Sequence, residues 1–227
     1  GGFGEKAGIV YRAEDGQPKH DGKRPFSADL VHLPYAGEEI RQFISRYPSG
    51  AFRSAGVVLA RGCPGDCIFC PMRSTRTRYR DPDDVVKEFQ VVAQLLGPSA
   101  VWTLILEAFR HPGGIEEFAK RLRRKRVAIT WSVGARCDFV KDSAQLDDLK
   151  GAGLENLYLG VECVSEEARR RVKKPISEED IERTIKLATK CGIGYSLAFM
   201  TGFPWEDEKY LQTMRDYIES HIVEGSC

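Results

Sequence analysis

From residue 55 onward the chain alternates between short apolar runs and helical repeats, and that alternation narrows the folds open to it. Residues 55–60 read as a buried strand. Asp81, Pro82, Asp83 and Asp84 then start a helix: Asp81 can cap, Pro82 suits the first helical position, and the acids favour the positive end of the helix dipole. Val85, Phe89, Val92 and Leu96 recur at helical spacing until Gly97 and Pro98 stop the run. The cycle repeats with a strand at 101–106 and a helix marked by Ile115, Phe118, Ala119 and Leu122. A strand at 127–133 precedes a short helix at 144–150, ended by Gly151. A strand at 157–161 precedes a helix capped by Ser177, with Ile181, Ile185 and Ala188 inward and Cys191 and Gly192 at its end. A strand at 195–200 precedes a last helix placed by Leu211, Met214 and Ile218. Five strand–helix units in succession imply an α/β fold, a parallel sheet with right-handed crossovers.

Residues 1–54 differ. They hold scattered Gly and Pro and a polar stretch at 14–24, with room for a short hairpin near 8–13 and a short helix near 38–46. The expected organisation is therefore an N-terminal linker or extension at 1–54 and a core at 55–227.

Cys63, Cys67 and Cys70 stand in Arg-Gly-Cys-Pro-Gly-Asp-Cys-Ile-Phe-Cys, directly after the first apolar run. The spacing is C-x-x-x-C-x-x-C. Three such thiolates can hold three irons of a cubane iron–sulfur cluster and leave the fourth without a protein ligand. A closed structural site needs a fourth ligand close by, and no His or Cys lies between Cys70 and His111. A zinc knuckle, an electron-transfer cluster and chance clustering are the other readings of the triplet. Cys137, Cys163, Cys191 and Cys227 are scattered singly, which fits free thiols in a reducing cytoplasm rather than a disulfide framework.

Hydrophobic content of 42% and charged content of 30% are ordinary for a globular protein. A formal charge of +1 predicts no strong general attraction to nucleic acid or anionic membranes. The apolar runs are too short to span a bilayer, and no signal peptide is visible. Neither a Ser–His–Asp pattern, a Walker loop nor a G-x-G-x-x-G motif occurs.

With an aromatic residue, Phe69, just before the third cysteine, the triplet resembles the signature of the radical S-adenosylmethionine (SAM) superfamily. The resemblance implies a partial (β/α)6 TIM-like barrel, of which this chain supplies five units. It also implies a 4Fe–4S cluster whose open iron is chelated by SAM, and reductive cleavage of SAM to a 5′-deoxyadenosyl radical. In such barrels the site forms at the C-terminal ends of the strands, where the cysteine loop falls.

Four further positions carry the resemblance. Glu107 ends the second strand, where these proteins often place an acidic residue near the SAM amino group; a helix cap or a salt bridge is the alternative. Gly160-Val161-Glu162-Cys163 resembles the Gly-Val-Glu-Ser of cobalamin-type members and methylthiotransferases, which implies that Glu162 helps to hold SAM. Met200, Thr201, Gly202, Phe203 and Pro204 resemble the Gly-x-Pro-Gly-Glu-Thr turn of the same groups, with Met200 and Gly202 near adenine and Trp205 where a Gly is usual. Arg136 fits a Trp-x-x-x-x-Arg pattern, with the SAM carboxylate or Asp138 as its partner. The Phe69 backbone is expected to border the same pocket. Arg73, Arg76, Arg78 and Arg80 form a basic stretch, read as a solvated loop with one or two salt bridges; pairing with substrate acids or a cofactor phosphate is the alternative.

The leading expectation is a cobalamin-associated radical SAM core performing methyl transfer or cyclisation on a small-molecule substrate. An electron donor such as flavodoxin or ferredoxin would serve it. No Asp-x-His-x-x-Gly motif is present, so cobalamin, if used, binds through parts absent from this chain. The alternatives are a methylthiotransferase acting on tRNA or protein, and a non-catalytic iron–sulfur or zinc module. The start at Gly1 and the stop after a helical pattern suggest a C-terminally incomplete core, with an unpaired edge after the fifth strand and a loosely packed last helix.

Overall fold

Each apolar run after residue 100 returns to the sheet through a helix, the only short route between parallel neighbours. The computed structural model describes residues 10–20, 37–48, 50–52, 55–97, 102–104 and 114–221. A hairpin of β1 (Val10–Arg12) and β2 (Pro18–His20) comes first, then helix α1 (Gly37–Ile44). Two-residue strands β3 (Ala60–Arg61) and β4 (Arg78–Tyr79) pair antiparallel. The alternation follows as α2 (Pro82–Leu96), β5 (Trp102–Leu104), α3 (Gly114–Arg124), β6 (Trp131–Ala135), α4 (Ser143–Lys150), β7 (Leu154–Glu162), α5 (Glu166–Arg171), α6 (Glu178–Lys190), β8 (Gly194–Phe199) and α7 (Glu208–His221). Strands β5, β6, β7 and β8 lie side by side in that order, all parallel.

The helix starts behave as the sequence predicts. Asp81 accepts from Asp83 N at 2.7 Å, with Pro82 opening α2. Ser177 and Asp180 form a reciprocal capping box on α6. Apolar faces converge on Trp131, which is fully buried and edge-on to Phe118 at 5.6 Å; Phe118 in turn meets Phe89 at 5.0 Å. Trp131 Nε1 donates to Ala152 O at 2.8 Å, so its polar atom is not stranded. Leu146, Leu149, Leu154, Leu157, Leu159 and Ile181 complete this core, each burial favourable by roughly 1.5–3 kcal/mol.

The expected first strand at 55–60 departs from its reading. Val57 and Leu59 are buried in the core; in this run Gly56 holds a lone bridge, and the strand among the described residues is Ala60–Arg61, antiparallel to Arg78–Tyr79. The carbonyls of Val58 and Leu59 accept from the Arg80 side chain and backbone, at 3.1 and 2.9 Å, so the returning chain holds them. Helix α5 was not anticipated. Strand β8 stands at the edge of the described sheet with alternate side chains exposed, and α7 buries only Met214. No helix among the described residues is long and apolar enough to cross a membrane.

Candidate functional site

The three cysteines share one loop whose two ends are clamped together. Below them β3 and β4 pair. Gly62 runs at φ +97°, and a Cβ there would lie 2.1 Å from Arg76 O, so only glycine lets the two arms close. Thr75 N donates to Cys63 O at 2.8 Å, Cys63 N donates to Thr75 Oγ1 at 2.8 Å, and Ser74 N donates to Gly65 O at 2.7 Å. Two turns follow, Cys70 N to Cys67 O at 3.1 Å and Arg73 N to Cys70 O at 3.3 Å.

Cys63, Cys67 and Cys70 all lie outside any disulfide and are partly exposed. Gly65 N–H donates to Cys63 Sγ at 3.2 Å. Burial pushes the Cys67 thiol up, and the charges of Lys174 and Arg136 pull it back. Among the described residues no three His, Cys, Asp or Glu side chains close on a single metal ion. A cubane asks for less, because each thiolate binds its own iron. A loop with three thiols outside any disulfide, an amide aimed at the sulfur of Cys63 and two cations near Cys67 fits such a cluster.

The loop docks on the end of α5, which follows β7, and on the turn after β8. Ile68 N donates to Val172 O at 3.1 Å, and Lys173 pairs with Asp66 at 2.7 Å. Phe69 packs on Phe203 with ring centres 6.5 Å apart. Phe203 stacks on Trp205 at 4.6 Å, and the Arg171 guanidinium covers Trp205 at 4.3 Å. Beneath these rings Cys163, Ala168 and Val172 form a small second core.

Glu162 ends β7 in a left-handed conformation, φ +66°, at a register shift against β8. Its carboxylate accepts from Lys174 Nζ at 2.7 Å, and both side chains are largely buried. Gly160 makes room: a Cβ there would meet Glu162 Oε1 at 2.4 Å and Lys174 Nζ at 2.5 Å. Met200 N donates to Glu162 O at 2.9 Å, and Gly202, at φ +97°, donates its N–H to Glu206 Oε2 at 2.7 Å. The geometry thus gathers Phe69, Glu162, Met200 and Gly202 at the cysteine end of the sheet. Arg136 already holds Asp138 in a two-pronged pair at 2.9 and 2.8 Å, the second of its two expected partners, while its charge still reaches Cys67. Glu107 lies outside the described residues.

Sequence reasoning missed Arg169 and Lys174. Arg169 is fully buried and donates to Ile176 O, Cys163 O and Glu178 Oε2 at 2.7, 2.9 and 2.9 Å. It thereby ties the end of β7 to the start of α6. The available signal was the basic run 169–174 directly after the Glu162 motif.

A family model described as the radical SAM superfamily matches residues 57–218. The chain belongs to the radical SAM superfamily. Among curated relatives it is 28% identical over 210 residues to the anaerobic magnesium-protoporphyrin IX monomethyl ester cyclase of Rubrivivax gelatinosus, covering 90% of this chain and 38% of the cyclase. It is 26% identical over 187 residues to the tRNA-2-methylthio-N(6)-dimethylallyladenosine synthase of Opitutus terrae, covering 74% of this chain and 38% of that protein. The chain therefore spans about two fifths of the length of these relatives. Its fold matches the cobalamin-dependent SAM radical enzyme OxsB with a TM-score of 0.70 at 20% identity, over 96% of this chain and 33% of OxsB. It also matches the radical SAM methyltransferase TsrM of Kitasatospora setae with a TM-score of 0.70 at 17% identity, over 94% of this chain and 44% of TsrM. Radical SAM membership implies a 4Fe–4S cluster and SAM as cofactors.

Proposed function

We propose that this chain is the cofactor-holding core of a radical SAM enzyme that activates a C–H bond of a small molecule for methyl transfer or ring closure. The observation that carries this reading is the docking of the cysteine loop on the end of α5 and the turn after β8, beside the Glu162–Lys174 pair. Cys63, Cys67 and Cys70 would hold a 4Fe–4S cluster with one iron left to SAM. When bound, the cluster supplies the single electron that cleaves the SAM sulfonium.

The chain's own residues divide the remaining work. Glu162 and Lys174 present a carboxylate and an ammonium at one strand end, matched to the zwitterionic amino acid part of SAM or, for Glu162, to the ribose diol. The turn through Met200 and Gly202, held by its bonds to Glu162 O and Glu206, would border adenine. Phe69, Phe203 and Trp205 shield one flank of the loop from water. The Rubrivivax cyclase supports ring closure, and the fold shared with OxsB and TsrM supports a cobalamin-associated methyl transfer whose cobalamin binds outside this chain. The Opitutus relative favours a second reading, methylthio transfer to tRNA; residues 1–54 carry none of the extra cluster cysteines of that group. Six described cysteines outside any disulfide suit a reducing, cytoplasmic setting.

Anaerobic reconstitution tests the reading. About four irons per chain with one distinct iron, SAM cleavage on reduction, and loss of both on Cys63→Ala, Cys67→Ala or Cys70→Ala are expected. One zinc per chain and no SAM binding would instead make it a metal module. Methylthiolated tRNA as product would select the second reading.

A further inference from the structure

Both neighbours of Cys67 are bonded to consecutive residues at the end of α5. On one side Lys173 Nζ donates to Asp66 Oδ2 at 2.7 Å; on the other Ile68 N donates to Val172 O at 3.1 Å. The next residue, Lys174, donates to Glu162 Oε1 at 2.7 Å. Val172, Lys173 and Lys174 therefore bridge from the residues around the second cysteine of the triplet to the carboxylate at the end of β7. The other oxygen of Asp66 accepts from Ser74 Oγ at 3.0 Å, which draws in the returning arm of the loop.

The backbone breaks a local rule at the middle residue of this bridge. Lys174 N donates to Arg169 O at 2.8 Å, and Lys173 N donates to Arg170 O at 2.9 Å. Those two bonds are the Schellman ending of a helix, and they hold Lys173 in the left-handed region at φ +56°. Glycine is the usual residue there, because a Cβ is strained in that conformation. A cation near a helix C-terminus is favourable, but Arg169, Arg170 and Arg171 already fill the last turn of α5. The ion pair does not offset the strain in global stability either: the Lys173 and Asp66 side chains are 59% and 49% exposed, and pairs so exposed add little. What lysine supplies here and glycine cannot is an ammonium that reaches Asp66.

We propose that Lys173 is a positioning residue for the cofactor site: through Asp66 it seats Cys67 on the end of α5, at a fixed offset from the Glu162–Lys174 pair. This rests on the cofactor reading above. Lys173 acts through Asp66, and the strained backbone at 173 is kept for that contact.

The test compares Lys173→Gly with the parent chain, each reconstituted anaerobically with iron and sulfide. A residue that only ends α5 is improved by glycine. Lys173→Gly should therefore unfold at or above the parent midpoint. It should nevertheless lose iron to a chelator about threefold faster and bind SAM about threefold more weakly, the size of effect that one exposed ion pair can exert. Asp66→Lys and Lys173→Asp should each lose iron faster than the parent, and the D66K/K173D double variant should recover most of the difference. In the metal-free chain, hydrogen exchange over residues 62–76 should quicken in Lys173→Gly, while α6 exchanges as in the parent. Parent-like iron loss and SAM affinity in Lys173→Gly would overturn the proposal. So would a lowered midpoint in that variant, or a double variant no better than the worse single one. If the parent takes up no iron, the cofactor reading fails, and hydrogen exchange of the metal-free chain still decides whether Lys173 seats the loop.

Discussion

Two glycines hold the site together by what they lack. At Gly160 a methyl group would collide with both members of the Glu162–Lys174 pair. Gly160→Ala should therefore push the pair apart, lower SAM affinity by about tenfold, which is ~1.4 kcal/mol, and leave iron content near that of the parent. Equilibrium binding of SAM beside an iron assay checks this, and parent-like SAM affinity would remove Glu162 and Lys174 from the pocket. Gly62 acts on the other cofactor. Its φ of +97° and the 2.1 Å approach to Arg76 O leave no space for a side chain, and the obstacle is backbone, which cannot swing aside. Gly62→Ala should open the base of the cysteine loop and reduce iron retention well below the parent, while the far-ultraviolet spectrum of the helices persists. Glu162 belongs to the same argument: its own left-handed backbone points to a position where strand regularity yields to the placing of a carboxylate.

At the scale of elements, α5 and the turn after it tie the cysteine loop to the sheet. Arg169 reaches three partners from a fully buried position; removing it strands Cys163 O and Ile176 O and leaves the Glu178 carboxylate with Tyr217 as its remaining partner. Arg169→Met should cost about 3–5 kcal/mol and lower the thermal midpoint, whereas Ser177→Ala, which loses one cap of α6, should cost only ~1 kcal/mol. A denaturant series on the two variants measures the contrast. The elements that were legible in sequence share a property: their signals are local. Asp81 and Pro82, the Ser177 cap, Gly151 and the apolar spacing of α2 and α6 act within a few residues, and the structure keeps them all. Residues 55–60 misled because an apolar run reports burial, which Val57 and Leu59 satisfy, but not the partner of the strand. For Ala60 and Arg61 that partner is Arg78 and Tyr79, across the cysteine loop. Helix α5 went unseen because six residues with only Ala168 as a small apolar anchor show no period. Lys174 escaped because its meaning depends on Glu162, twelve residues away and brought close only by the turn between β7 and α6.

For the molecule as a whole, the parallel sheet sets one end apart for chemistry, and stability depends on keeping acids neutral in the core beside it. Burial pushes the Cys137 thiol up to about 11 from 9.0, and pushes the Tyr210 phenol up to about 12 from 10.0. Tyr217 is raised too, by burial and by its hydrogen bond to Glu178. All three are raised in the folded state, so the neutral form is the one the fold prefers. Their contribution is fully present below the unfolded values. It falls away as pH climbs from about 9 toward 12, where the unfolded chain ionises first. The alkaline limb of the stability curve should therefore be steep. Two variants separate the causes. The Tyr210 hydroxyl is buried beside Cys163 without a well-aligned partner among the described residues, so Tyr210→Phe should leave the midpoint at pH 7 nearly unchanged and flatten the loss above pH 10. Tyr217 donates to Glu178 Oε1 at 2.6 Å, so Tyr217→Phe should flatten the same limb but cost ~1 kcal/mol at pH 7 as well. Thermal unfolding between pH 7 and 11 reads both. If neither variant changes the slope above pH 9, the alkaline loss arises elsewhere, and the second core under the cysteine loop is wetter than its packing implies.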